Sequence, residues 1–301
     1  MLILIYGITG TCGQAIARAA LDAGHTVRGS GRTPDKLDKE IADRLESFVK
    51  TESIYDIPAL DRAVAGVEAV ISAVTPIPEV ILEGQLLLLR AAERAGIKIF
   101  HAASWNFDWT RIALGDVEIY DPLISFWNHA RLTSTIKPIY AFTGVILEYM
   151  FIHGGPGANP INKTEKTLGH AGTGDEVCVY TTVDDLARYT IHAVTSPDAE
   201  TRGEYYVESF RCSHREMAKT YAEARGVELE LKCLGTLEGF KAMLAGARDT
   251  IPPTRFMEYN GLAFMVQLLQ GTLDFEPIDT LRWGHIKQTT LREWLDAHPE
   301  I

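Results

Sequence analysis

Five consecutive apolar residues, Leu2-Ile3-Leu4-Ile5-Tyr6, run straight into Gly7-Ile8-Thr9-Gly10-Thr11-Cys12-Gly13, and a helical pattern follows as far as Ala23 before Gly24. No other feature constrains the fold as much. A short unbroken apolar run followed by glycines reads as a strand buried on both faces. A glycine turn between such a strand and a helix has few uses. Gly7 permits a sharp turn, Gly10 a close approach to the backbone, and Gly13 tight packing of helix on strand. The bare N–H groups at a helix N-terminus bind phosphate, and side chains there would hold it off. The turn therefore predicts dinucleotide binding. The alternative is a structural turn in an unrelated doubly wound fold.

The next hundred residues alternate short apolar runs with amphipathic stretches, the pattern of βαβ units. Strands are expected from His25 to Arg28, Glu46 to Val49, Val67 to Val74 and Lys98 to Ala103. Helices are expected from Ile57 to Val64 and Leu82 to Ala95, and Thr33-Pro34 reads as an N-cap and first position opening another. Farther on, a helix is expected within Asp121 to Ile136 and a strand from Ile139 to Leu147. Thr182-x-x-Asp185 and Ser213-x-x-Glu216 are spaced as capping boxes. Gly154 to Gly174, rich in Gly, Pro and Asn, reads as a loop or junction. The fold class is α/β: a Rossmann-type doubly wound parallel sheet with a smaller C-terminal substrate lobe. At 301 residues the chain exceeds what one core serves well. The expected division is 1–153 for the nucleotide domain and 154–301 for the lobe, interleaved with the first through 175–195. Residues 235–285 are expected to cover a pocket or to form a helical appendage.

The end of the second strand bears on the cofactor. NAD-binding folds place a carboxylate there for the ribose hydroxyls. Here the chain reads Arg28-Gly29-Ser30-Gly31-Arg32-Thr33-Pro34-Asp35-Lys36. No acid ends the strand, while Arg32 and Lys36 suit a 2′-phosphate; otherwise they are solvated surface cations. NADPH is the expected cofactor. The positions expected to bind it are Gly7, Thr9, Gly10, Thr11, Cys12 and Gly13, then Arg32 and Lys36, then Ala73, Val74 and Ser104.

Charge and cysteine content narrow the remaining classes. A net charge of -11 repels phosphate backbones and anionic lipid, so nucleic acid and membrane are not expected partners. Cys12, Cys178, Cys212 and Cys233 form neither a zinc spacing nor a disulfide framework, which points to free thiols and a cytoplasmic location. No histidine–carboxylate cluster stands at ligand spacing and no G-x-S-x-G elbow appears, so neither a metal site nor a serine hydrolase is expected.

Four segments carry a family resemblance. His25 to Leu37 resembles the V-R-x-x-x-R-x-P-x-K segment of NmrA-like proteins, and Gln85 to Phe100 their Q-x-x-L-I-x-A-A-x-x-A-G-V-K-R-F. His101-Ala-Ala-Ser104-Trp105-Asn106-Phe107-Asp108 stands where that family carries P-S-E-F-G or P-S-D-W-G, and Thr182 to Val194 is similar to its V-D-x-x-D-I-G-x-Y-T-I-K-A-V helix. The resemblance, to the NmrA-like and isoflavone-reductase-like atypical short-chain dehydrogenases, covers about the first 230 residues. It implies an NADPH-dependent reductase of a small aromatic or polyketide-like molecule, or a non-catalytic NADP(H)-sensing regulator that binds a protein partner. A third outcome is a non-redox cyclisation or dehydration on the same fold.

Two departures affect the catalytic assignment. No tyrosine has a lysine four residues later, so the acid of ordinary short-chain dehydrogenases is missing. Isoflavone-reductase-like enzymes use a Phe-x-x-Lys lysine after strand five; here Phe126-x-x-His129 stands in its place. His129 is therefore either the proton donor or a polar helix residue, with Tyr120 as the second candidate and Tyr149 or His153 behind it. Trp105, Asn106, Trp109, Phe126 and Tyr149 are the expected substrate contacts, since they follow strand five, where an open α/β sheet has its ligand crevice, or lie farther along the same half.

Overall fold

The computed structural model describes residues 1–153 and 160–301. The chain begins with β1 (Leu2–Tyr6), α1 (Thr11–Asp22), β2 (Thr26–Gly31), α2 (Lys39–Ala42) and β3 (Ser47–Lys50). Next come α3 (Ile57–Val64), β4 (Ala69–Ser72), a π-helix (Val80–Gln85) continuing into α4 (Leu86–Arg94), and β5 (Ile99–His101). Then follow α5 (Asp121–Thr133), β6 (Tyr140–Phe142), β7 (Val145–Ile146), α6 (Leu147–Phe151), β8 (Ile161–Asn162) and β9 (Thr167–Ala171). After these stand β10 (Val177–Thr181), α7 (Val183–Thr195), β11 (Glu204–Tyr206), β12 (Phe210–Ser213), α8 (His214–Arg225) and β13 (Glu230–Gly235). The chain finishes with α9 (Leu237–Thr250), α10 (Asn260–Leu269), α11 (Ile278–Arg282) and α12 (Leu291–Ala297).

Two compact units share these elements. The first takes residues 1–105, 121–142 and 183–207, and the second 106–120, 143–182 and 208–301. The chain thus passes between them five times, whereas the expected division had one break near 153 and a single interleaved stretch.

The first unit is built on a parallel sheet in the order β3-β2-β1-β4-β5. β1 is central because Ile3, Leu4 and Ile5 are fully buried, with β2 and β4 on either side. An isolated parallel bridge from His101 to Ile139 carries the sheet on to β6, which pairs in parallel with β11. The order 3-2-1-4-5-6 is that of the dinucleotide-binding doubly wound fold, whose ligands lie beyond the C-terminal ends of the strands. α1 packs on α7, and α3 on α4.

The second unit holds two three-stranded sheets, β12-β10-β7 and β13-β9-β8, with α9 on α10 and α8 against α12. α8 begins with a true capping box, Ser213 and Glu216 each bonding the other's backbone, and ends at Gly226 in the left-handed conformation.

Several expectations need correction. Thr33-Pro34 opens only a single 3-10 turn, Pro34–Lys36, because Leu37 returns to extended backbone. The expected strand 139–147 breaks at Gly144, whose φ of +66° turns the chain, so β6 and β7 belong to different units. Part of the expected loop 154–174 is sheet, since β8 and β9 lie within it; residues 154–159 of that stretch fall outside the described residues. The start of the expected helix 82–95, as far as Gln85, is wound as a π-helix.

Candidate functional site

The glycine turn leaves β1 at the middle of the sheet. Gly7 has a φ of +83°, and a Cβ there would stand 2.5 Å from the Ala73 carbonyl oxygen. Ala73 and Val74 therefore form the wall beside the turn, with the Ala73 N–H donating to Tyr6 O at 2.7 Å. A Cβ on Gly13 would lie against the Gly7 carbonyl oxygen and 2.8 Å from Ile8 Cα, so α1 meets the turn at backbone contact. Gly10 differs. It caps α1 from extended backbone, and its nearest neighbour in the Cβ direction is Gly7 O at 3.4 Å. Two of the glycines are thus demanded by packing, while the third opens the helix N-terminus, as close approach of a phosphate requires. Thr11 is half-buried and Cys12 buried in the first turn of α1.

At the end of β2, Thr9 Oγ1 is 3.8 Å from the Cβ position of Gly31, which joins the glycine turn to the start of the Arg32 segment. Arg32 and Lys36 are exposed, and their side chains form no hydrogen bond or ion pair among the described residues. Arg28, by contrast, is fully engaged: it pairs with Glu46 and donates to Ala63 O and Ala65 O. The strand end therefore offers two uncommitted cations and no carboxylate, the donor set that suits a 2′-phosphate.

The sequence reading missed two residues in this unit. Ser72, the last of β4, and Gln85, in the π-helix, are fully buried. Gln85 Oε1 accepts from Ala103 N at 2.8 Å, whereas Gln85 Nε2 and Ser72 Oγ have no hydrogen-bond partner among the described residues. Buried polar atoms are almost always satisfied, so such atoms near the ends of β4 and β5 mark places where a ligand or water completes the bonding. The available signal was a glutamine directly before the apolar run Leu86 to Leu89.

Other expected residues are committed within the fold. Ser104 donates to Ala102 O at 3.1 Å and accepts from Ala141 N at 2.8 Å, joining the end of β5 to β6. Trp105 is buried; its indole N–H donates to Thr190 Oγ1 at 2.9 Å and its ring stacks on His101 at 4.9 Å. His101 bonds Tyr205 at 3.0 Å, and burial brings its pKa down to about 3. Phe126 is buried on α5.

His129 also lies on α5, and its position is at odds with the expected role. α5 joins β5 to the parallel β6, so it begins at the C-terminal edge of the sheet and runs away from it. His129 is eight residues in, about 12 Å along the helix at 1.5 Å per residue. Its side chain is exposed, with Nε2 3.4 Å from an Arg90 guanidinium nitrogen. Arginine can only donate, so in this contact the imidazole nitrogen faces a donor rather than a group it could protonate.

In the second unit, Tyr120 is buried and donates its hydroxyl to Asn106 Oδ1 at 2.5 Å. Burial raises the phenol far above its ordinary range, so it stays neutral. Trp109 is fully buried, and Tyr149 is exposed with its ring 5.5 Å from that of His153. Among the described residues, no group of three His, Cys, Asp or Glu could hold a metal, and no helix is long and apolar enough to cross a membrane.

A parallel sheet in this order, with a bare glycine turn opening its first helix, defines a Rossmann-type α/β protein. Residues 1–295 match the NmrA-like family, and the chain belongs to it. Among its relatives, the bifunctional pinoresinol-lariciresinol reductase of Linum usitatissimum is 27% identical over 257 residues, 81% of each chain. The photosystem II assembly factor Ycf39 of a Synechocystis species is 28% identical over 205 residues, 64% of this chain and 58% of that one. The solved structure of AtPrR2 with NADP+ and (+)-pinoresinol superposes with a TM-score of 0.79 at 22% identity, covering 98% of this chain and 97% of that one.

Proposed function

We propose that this protein is an NADPH-dependent reductase of a small aromatic molecule. The observation that carries the reading is the pairing of a backbone-lined glycine turn with two uncommitted cations, Arg32 and Lys36, at an acid-free end of β2. Gly7, Thr9, Gly10, Thr11, Cys12 and Gly13 would hold the pyrophosphate, Ala73 and Val74 would flank it, and Arg32 and Lys36 would take the 2′-phosphate. NADPH, when bound, supplies the hydride. The reductases among the relatives favour an aromatic, phenylpropanoid-like substrate. Asn106 is its polar contact and the exposed Tyr149 an apolar one, whereas Trp109, fully buried, belongs to the core.

His129 is read as a brace between α4 and α5 rather than as the acid. Arg90 occupies its Nε2 and also donates to Thr133 Oγ1 at 2.6 Å. Tyr120 is likewise not the acid, because its single hydroxyl proton is held by Asn106. Water supplies the proton in this reading.

The absence of a placed acid favours one second reading, an NADP(H)-binding regulator without turnover. One experiment separates the two. The purified chain is mixed with NADPH and a panel of lignan, flavonoid and aryl-ketone compounds, and absorbance at the NADPH band is followed. The reductase reading expects consumption with at least one compound and retention of most of that rate in His129→Ala. NADPH that binds but is never consumed would leave the regulator.

A further inference from the structure

Asn106 sits where two donors meet. Its Oδ1 accepts from the Tyr120 hydroxyl at 2.5 Å and from its neighbour's backbone, Phe107 N, at 3.0 Å. A backbone N–H can only donate, so the atom facing it must be the carboxamide oxygen; the reverse flip would set two donors against each other. The amide orientation is therefore settled by chemistry. The backbone of Asn106 is also fixed, because its carbonyl accepts from both Thr143 N at 2.8 Å and Gly144 N at 3.2 Å. Tyr120 is held in turn. It ends the 3-10 turn Glu118–Tyr120, with its N–H donating to Val117 O, and Arg248 latches that loop by bonding Glu118, Gly115 O and Asp116 O.

With Oδ1 taken twice, Nδ2 remains. It has no partner among the described residues, although Asn106 is only half-buried. A carboxamide whose acceptor is saturated and whose donors are open presents only one kind of chemistry, two N–H groups in a fixed plane. We propose that Asn106 is a donor site selecting ligands that bring a neutral acceptor oxygen, such as a ketone, quinone or ester carbonyl, and that Tyr120 is the positioning residue that locks the donors outward. The inference rests on the reductase reading only in taking Asn106 for a substrate contact. It favours the carbonyl form of a substrate over the hydroxyl form, because a hydroxyl brought to a donor-only site leaves its own proton without an acceptor.

The test needs no turnover, so its failure is distinguishable from failure of the reductase reading. Full-length ¹⁵N-labelled protein is titrated with acetophenone and, separately, with 1-phenylethanol, in the presence of NADP+. The Asn106 side-chain amide signals are identified by their loss in Asn106→Asp. In the unsubstituted protein these signals should exchange freely with solvent and should shift with the ketone. The ketone should bind about 3- to 10-fold more tightly than the alcohol, the worth of one neutral hydrogen bond. Asn106→Asp should abolish that preference. Tyr120→Phe should bring it within about twofold while the backbone spectrum persists, because the freed amide can then present Oδ1 to an alcohol. An unmoved Asn106 signal up to the solubility of the ketone, equal binding of the two probes, or an unchanged preference in Tyr120→Phe overturns the proposal. Should Tyr120→Phe not fold, solvent protection of both Nδ2 protons in the ligand-free protein overturns it instead, because donors already engaged cannot select a ligand.

Discussion

Substituting the turn glycines one at a time separates packing from ligand approach. In Gly13→Ala the new methyl meets only backbone, Gly7 O and, at 2.8 and 2.9 Å, Ile8 Cα and Ile8 C. Ordinary contact begins near 3.4 Å, so α1 or the turn must move by more than half an ångström. Overpacking of this kind costs about 1–3 kcal/mol, and contact with three immovable atoms argues for the upper part of that range. Up to about 1 kcal/mol returns through the better helix propensity of alanine. A net loss of about 2 kcal/mol, roughly 4 °C in Tm, is expected before any ligand is added. Gly10→Ala should behave in the opposite way. With φ at −81° and ψ at 167°, alanine fits the backbone, and its methyl has 3.4 Å to the nearest atom. The cost is about 0.5 kcal/mol for a poorer N-cap, or about 1 °C. The same methyl occupies the approach to the open N–H groups, so NADPH affinity should fall at least about tenfold, or 1.4 kcal/mol. Thermal unfolding without ligand and calorimetric titration with NADPH give the two readouts. Gly10→Ala binding NADPH within about twofold of the unsubstituted protein would refute the cradle. Gly13→Ala unfolding at the unsubstituted temperature would refute the packing argument.

Two further outcomes are expected. The Arg32 side chain forms no hydrogen bond or ion pair among the described residues, so Arg32→Ala should leave Tm nearly unchanged while weakening NADPH by about 5- to 150-fold and NADH hardly at all; equal calorimetric affinities for both cofactors in the unsubstituted protein would remove the 2′-phosphate assignment. His101 should give an acid limb to stability: burial holds its pKa at about 3 against an ordinary 6.5, so the unfolded chain binds the extra proton, and its contribution, complete above about pH 6.5, is lost as pH falls toward 3 at about 1.4 kcal/mol per pH unit. Urea unfolding at pH 7 and pH 5 should show a steeper loss than in His101→Gln, and equal slopes would count against that linkage.

How far the sequence could be read depended on how local the physics was. The strand Leu2–Tyr6, the glycine turn and the helix Ile57–Val64 were legible because a buried apolar run, a turn geometry and a cap spacing are properties of a few adjacent residues. The capping box of Ser213 and Glu216 was legible for the same reason. β8 and β9 were not. A stretch dense in glycine and proline became sheet because β13, more than sixty residues later, supplied the edge against which β9 pairs. The break of the 139–147 strand at Gly144 was hidden among apolar residues that suit either a strand interior or a turn.

The residues of the site divide in the same way. The sequence by itself determined the class of ligand at the first turn, because the demand for bare backbone N–H groups is written in glycine spacing, and the want of a carboxylate at the end of the second strand can be read directly. Only the tertiary structure decided what each polar side chain is free to do. Side by side in the sequence, Ser104 and Asn106 are two equivalent polar candidates; in the fold, the Ser104 hydroxyl is spent between Ala102 and Ala141, whereas Asn106 keeps its donors. His129 occupied a lysine's place in the Phe-x-x-Lys motif, yet helix geometry carried it down α5 to Arg90. Hydrogen-bonding capacity is finite and is consumed by neighbours remote in the chain, so a side chain's chemistry follows from its type, while its availability follows from the fold.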